Sequence, residues 1–277
     1  MAAALALISA LMWGTADFLG GLTARRKSAL AIYLGSQIFG FAFLLTVVLI
    51  RGDWHAPLGY LWWGIGLGFT GLISMVAFYR ALALGPMGLV SPLVAVAVVI
   101  PVIVGFASGE VPSAMEIAGI AIAFIGVLLA SGPELTGAES MKPLVYTGIA
   151  ALGFGLLYVG MAKGSETSPS MTMLTFRGTS MVILIAVLIV ARNTGGLTKS
   201  DLPVLAAIGI MDAAANLLFG IASTLGMLST TSVLSSLYPV ATAILAAVVL
   251  RERLRPIQYA GVTVAMIGVI LLSAGGR

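Results

Sequence analysis

The chain is 277 residues long, 60% hydrophobic and 9% charged, against about 25% charged residues in a soluble domain. Such a composition cannot cover a water-exposed surface. Apolar stretches of about 20 residues recur along it, each long enough to cross roughly 30 Å of hydrocarbon at about 1.5 Å per residue. An all-α integral membrane protein is expected. The net charge of +4 is read as loop orientation in a lipid bilayer and not as affinity for nucleic acid, because no basic, aromatic-interleaved soluble segment accompanies it.

In chain order, Met1 to Ala10 carries no Lys or Arg ahead of its apolar run, so it reads as a retained first helix and not as a cleaved signal peptide. Apolar runs punctuated by Gly, Pro and charge predict helices over 2–22, 29–50, 58–79, 86–107 and 113–132. Five more are predicted over 143–162, 170–191, 202–225, 229–250 and 256–275. Between the fifth and sixth lies the polar connector GPELTGAESMKP, which divides the chain into halves at 1–137 and 138–277.

The halves repeat one another. Residues 118–131 read AGIAIAFIGVLLAS and residues 260–273 read AGVTVAMIGVILLS; eight of the fourteen pairs are identical, including Gly119 with Gly261 and Gly126 with Gly268. Other landmarks recur at nearly the same offset: Trp13-Gly14 with Phe154-Gly155, Arg51 with Arg192, Gly85 with Gly226, and Glu110 with Glu252. Five helices per half force the second copy to enter the membrane from the opposite side, so the expected layout is ten transmembrane helices as two inverted five-helix repeats. Such repeats permit alternating access, each half exchanging roles as the site opens to one side and then the other.

The loops after odd-numbered spans hold Arg25, Arg26, Lys27, Arg80, Lys142, Arg192, Lys199, Arg251, Arg253 and Arg255, whereas the even loops and C-terminus hold Arg51, Lys163 and Arg277. The positive-inside tendency places the odd loops in the cytoplasm of a bacterial-type plasma membrane.

Pro239, the acids Glu110 and Glu252, then Gln258, Gly261 and the closing IGV-apolar run, with Trp13-Gly14 and Phe154-Gly155 in the first helix of each half, resemble the EamA-type repeat of the drug/metabolite transporter superfamily. The resemblance covers essentially the whole chain. It departs from the pattern where Glu116 stands opposite Gln258 and Ala97 stands near the position of Pro239. Membership implies a secondary transporter for a small organic metabolite or drug-like solute, an amino acid or similar, often an exporter, with a cavity between the halves.

Charges inside spans cost on the order of 2.5–3.5 kcal/mol each, so each calls for a reason. Asp212 lies near the middle of the eighth span, and Asn216, Phe219 and Ser223 follow on the same helical face. The aligned face of the third span is Gly71, Met75, Phe78 and Leu82, so this polarity does not belong to a shared scaffold. Asp212 and Asn216 are expected to line the cavity and bind a polar or cationic group or exchange a coupling proton; pairing of Asp212 with a neighbouring helix is the alternative. For Arg177, holding a substrate carboxylate, neutralising Asp212 and snorkelling to the headgroups are all open, and its FRG context resembles a structural Arg of the family. Asp17, one turn after Trp13, is either a cavity or a solvated residue. Trp13 serves either as a flat wall for an organic solute or in packing.

Tyr238 and Ser235, beside Pro239, either present hydroxyls to the site or pack around a kink. Gly85, Pro86, Pro92, Pro101, Gly226 and Pro239 mark the fourth and ninth spans as interrupted. Trp54, Tyr60, Trp62 and Trp63 are expected in an interfacial belt, and Gly64, Gly68 and Gly71 in close helix packing.

With no Cys and a single His, His55 in a loop, the chain is expected to hold no metal or cofactor. It lacks the clustered acid, base and nucleophile an intramembrane enzyme needs. A channel or a lipid-moving protein uses the same scaffold and is the alternative to a carrier; no repeated selectivity filter is visible.

Overall fold

The computed structural model describes residues 1–24, 27, 29–84, 94, 96–130, 141–191, 197–250 and 255–275. Their secondary structure is helical: α1 (Ala2–Ala24), α2 (Ala29–Arg51), α3 (Gly59–Leu84), α4 (Val99–Ala107), α5 (Ala114–Ala130), α6 (Met141–Ser165), α7 (Pro169–Ala191), α8 (Leu202–Leu225), α9 (Leu228–Ser235), α10 (Tyr238–Val249) and α11 (Pro256–Gly275), with short 3₁₀ turns at 53–55, 96–98 and 199–201. Among the described residues six stretches are long and apolar enough to cross a membrane, and three shorter apolar helices accompany them. The chain is a multi-pass membrane protein. The boundary at 137/138, the prolines Pro86 and Pro92, and Arg25, Arg26, Arg192, Glu252 and Arg277 lie outside the described residues.

The predicted ninth span is two helices. α9 ends at Ser235 and α10 begins at Tyr238, with Pro239 in the first turn of α10. Proline is tolerated there because a first-turn N–H has no intrahelical acceptor, so the interruption falls just ahead of Pro239.

In lipid, helices associate by close packing at small residues. α5 and α11, which carry the duplicated phrase, pack on each other along a glycine seam. A Cβ on Gly126 would overlap the backbone of Ala265, and one on Gly268 would overlap the backbone of Ala123. Likewise Gly119 faces Leu272, and Gly261 faces Ala130. Partner numbers fall along α11 as they rise along α5, so the helices run antiparallel. Moving each residue to its counterpart 142 positions away turns Gly126–Ala265 into Gly268–Ala123, and Gly119–Leu272 into Gly261–Ala130. The seam is therefore reciprocal about a local twofold perpendicular to the two helices.

A second reciprocal pair sits at the centre. A Cβ on Gly14 of α1 would lie 2.6 Å from both the Tyr238 carbonyl oxygen and the Ala241 Cβ in the opposite half. A Cβ on Gly155 of α6 would overlap Ile100 and lie 2.7 Å from the Ala97 carbonyl oxygen, residues 141 positions earlier than Ala241 and Tyr238. The repeated aromatic-Gly pair thus marks where the first helix of each half rests on the interrupted element of the other. Gly64 and Gly68 of α3 meet Thr175 and Thr179 of α7. Trp54, Trp62 and Trp63 are exposed at the start of α3, as an interfacial belt requires, whereas Tyr60 is buried.

Gly126→Val and Gly268→Val are each expected to lower stability by about 1–3 kcal/mol through overpacking. Gly20→Ala and Gly21→Ala, where an added Cβ meets nothing within 4 Å, should be neutral or slightly stabilising. Thermal unfolding of the detergent-solubilised protein measures both.

Candidate functional site

The helices define two ends of the bundle. At one, the C-terminus of α1 meets the start of α8 through Lys27 Nζ and Asp201 Oδ2, 3.0 Å apart. At the other, Arg51 Nε donates to Asp53 Oδ2 at 2.8 Å, and the same oxygen accepts from Ser170 Oγ at the start of α7. Gly226, just past α8, lies at this second end against Ala2.

Midway between the ends, three helices converge on a polar cluster. Arg177 of α7 forms an ion pair with Asp212 of α8 and donates from Nη1 to Gln37 Oε1 of α2 at 2.6 Å. Arg177 is buried, its side chain 4% exposed, while the Asp212 side chain is 34% exposed. Tyr33, one turn before Gln37, lies within electrostatic reach of Arg177 and Asp212. A buried guanidinium is tolerable only when paired, and Arg177 is held by one carboxylate and one amide. Its Nε has no partner among the described residues. Of the three roles open for Arg177, the geometry matches neutralisation of Asp212. Asn216 turns back, its Nδ2 donating to the Asp212 backbone carbonyl at 2.8 Å.

Next to this cluster lies an aromatic layer. Trp13 meets Tyr158 edge-on at 5.8 Å between centroids, Tyr238 edge-on at 6.3 Å and Phe219 at 6.1 Å; Tyr158 and Phe219 are 5.0 Å apart. Phe219 and Tyr158 are buried, and Trp13 and Tyr238 are partly exposed. Behind Tyr158 and Tyr238 is a cavity of about 20 Å³, also lined by Val94, Ala97, Val98, Phe154 and Ser236, enough for about one water. Ser223 bonds its own helix at the Gly220 carbonyl, and Ser235 reaches the Ala6 carbonyl.

Asp17 completes the site. Ala6, Ala10 and Trp13 lie eleven, seven and four residues before it, so all four share one face of α1, opposite the outward Ile8 and Leu11. Ala6 and Ala10 are 0% and 3% exposed, yet Asp17 on their face is exposed. Asp17 therefore interrupts the packing of an otherwise interior face. Asp17 is within electrostatic reach of Asp212, Tyr158 and Tyr238.

Beyond the aromatic layer, the second end is tied across the bundle by an acid. Glu110 accepts hydrogen bonds from the N–H groups of Leu228 and Ser229, the latter at 3.1 Å, and from Ser229 Oγ at 2.6 Å. The acid caps α9 from across the bundle, where free N–H groups and the helix dipole favour an anion. Ala6, Ala10, Val98, Val233, Leu234 and Leu237 are packed beneath it in one buried cluster.

The EamA-like transporter family matches residues 1–132 and 141–274. The chain belongs to that family. Solved structures share the fold: one, described as a protein crystal structure, superposes with a TM-score of 0.82 over 100% of this chain and 97% of its own, at 18% identity. No curated protein matches the sequence.

Sequence reasoning on this EamA-like chain missed Gln37, Tyr33 and Tyr158. Gln37 was legible as an amide within an apolar span, four residues after Tyr33. Tyr158 is the counterpart of Asp17 at the repeat offset of 141, four residues after Phe154 as Asp17 follows Trp13.

Arg177→Met is expected to destabilise the protein by about 3–5 kcal/mol, because it leaves Asp212 unpaired in a low-dielectric interior. Combining Arg177→Met with Asp212→Leu should recover part of that loss. Chemical unfolding of the single and double variants checks the non-additivity.

Proposed function

We propose that this EamA-like protein is a secondary transporter that moves a small organic metabolite or drug-like solute across the plasma membrane by alternating access, acting as an exporter. The observation that carries the reading is Asp17: a carboxylate on the inward face of α1, exposed where its neighbours on that face are buried, beside Asp212, Arg177 and an aromatic wall. A chamber with charged walls at the middle of a multi-pass bundle suits a solute that must leave water and regain it.

Ten spans in two inverted five-helix halves, 1–137 and 138–277, fit the reciprocal antiparallel seam of α5 and α11 and the equivalence of Gly14 with Gly155. Under the Lys/Arg reading the chamber opens toward the odd-numbered loops, in the cytoplasm, and is shut on the far side by Glu110 and the cluster under α9. Substrate-binding roles fall to Asp17, Trp13, Tyr238 and Asp212, with Arg177 setting the charge of Asp212. Asn216, Phe219 and Ser223 support them from α8. Asp212 is also the candidate for carrying a coupling proton.

Saturable counterflow in proteoliposomes, with competition among solutes, is the expected behaviour; flux that rises linearly with concentration would indicate a pore. Asp212→Asn should abolish the dependence of transport on a proton gradient, and a variant that couples normally removes that role from Asp212.

Glu110→Ala should loosen the far-side seal by about 1 kcal/mol, roughly fivefold in population. The chain has no Cys, so a single Ser236→Cys reporter labelled by a membrane-impermeant thiol reagent reads that opening directly.

A further inference from the structure

The described charges of the chamber do not cancel. Arg177, Asp212 and Asp17 face one region, and Arg177 is committed: its guanidinium pairs with Asp212 and donates to Gln37. Asp17 has no hydrogen bond or ion pair among the described residues, and the charge acting on it is that of Asp212. With both carboxylates ionised, one negative charge is left over among the described residues, in a place where an uncompensated charge is costly. Among the described residues, aromatic rings and not basic side chains stand around it: Trp13 one turn earlier on the same face, and Tyr158 and Tyr238 within electrostatic reach. Ring faces attract cations, most strongly indole.

We infer that the chamber takes an organic ammonium ion that carries no carboxylate, its charge against Asp17 and its apolar body along Trp13 and Tyr238. The inference rests on the carrier reading and narrows its substrate. A free amino acid fits poorly, since its carboxylate would meet both Asp17 and Asp212. The one guanidinium nearby among the described residues is almost fully covered, and recruiting it would break the pair with Asp212. Ring centroids 5.0–6.3 Å apart leave no slot between the rings, and the cavity behind them holds about one water. The ligand body therefore lies on the aromatic layer, pointing toward the open end, and does not insert into it. Protonated monoamines and quaternary ammonium ions meet these conditions.

Titration calorimetry on the purified full-length protein, with phenethylammonium, benzyltrimethylammonium and phenylalanine as probes, tests the assignment. Both cations should bind saturably, and phenylalanine at least about tenfold more weakly. Asp17→Asn should weaken both cations by roughly 10- to 100-fold, with Asp17→Glu restoring much of the loss. Trp13→Leu should weaken them by roughly 2- to 30-fold, and Glu166→Gln, an exposed surface change, by nothing. Phenylalanine binding as tightly as phenethylammonium, neither cation binding, or cation affinity indifferent to Asp17→Asn would each overturn the inference. Counterflow separates this from the broader reading: saturable transport of phenylalanine without competition by the cations removes the ammonium class but keeps the carrier, whereas Asp17-dependent cation binding without saturable counterflow keeps the seat and removes the carrier.

Discussion

Within a bilayer, apolar side chains are as well solvated by lipid tails as by one another, so the hydrophobic effect does not choose which helices touch. Backbone approach at glycine does. The seam between α5 and α11 is the clearest case: at Gly126, Gly261 and Gly268 the facing backbone stands where a Cβ would go. The repeated phrase is thus a packing code read from both sides of one contact. The same logic sets Gly14 against Tyr238 and Gly155 against Ala97 at the centre, and those two contacts bring the aromatic residues of α1 and the interrupted ninth span to one place. Without the glycines, Trp13 and Tyr238 would not share a wall.

On that scaffold, charge is distributed unequally. The first half contributes Asp17 and Gln37, the second Arg177 and Asp212. Their repeat counterparts are Tyr158, Gly178, Ser36 and Gly71. The backbone repeats while these side chains do not. The ion pair between Arg177 and Asp212 makes a buried guanidinium tolerable, and Asp17 stands without a hydrogen bond or ion pair among the described residues. Glu110, by capping α9 across the bundle, joins the turn before α5 to the interrupted element of the other half.

The helical architecture was legible in the sequence because length and hydropathy decide it in a membrane. The duplication was legible because glycines that carry close contacts resist replacement by bulkier residues in this fold. Asp212 and Arg177 stood out as charges in apolar spans, and the cost of such charges is what made them visible. Their mutual pairing was one of several roles left open, since choosing it depends on the rotation of α7 against α8. Gln37 was overlooked because a lone amide costs less than a charge and draws less attention, yet it supplies the second acceptor Arg177 requires. Asp17 was left between a cavity and a solvated position; in the fold it is exposed on the inward face of α1. Pro239 located the interruption of the ninth span, although the break itself falls at Ser236–Leu237, because proline serves a helix best at its start.

A reciprocal seam has an evolutionary corollary. An interface in which each residue meets the counterpart of its own partner is what two identical chains use to form a closed pair. A half-length ancestor bearing only the AGxxxxxIGV helix could have dimerised through this same surface, with no fused second copy. Because the two helices run in opposite directions, such an ancestor would have needed to insert in both orientations; fusion of the genes, with opposite loop charges in each copy, would then have fixed one arrangement permanently.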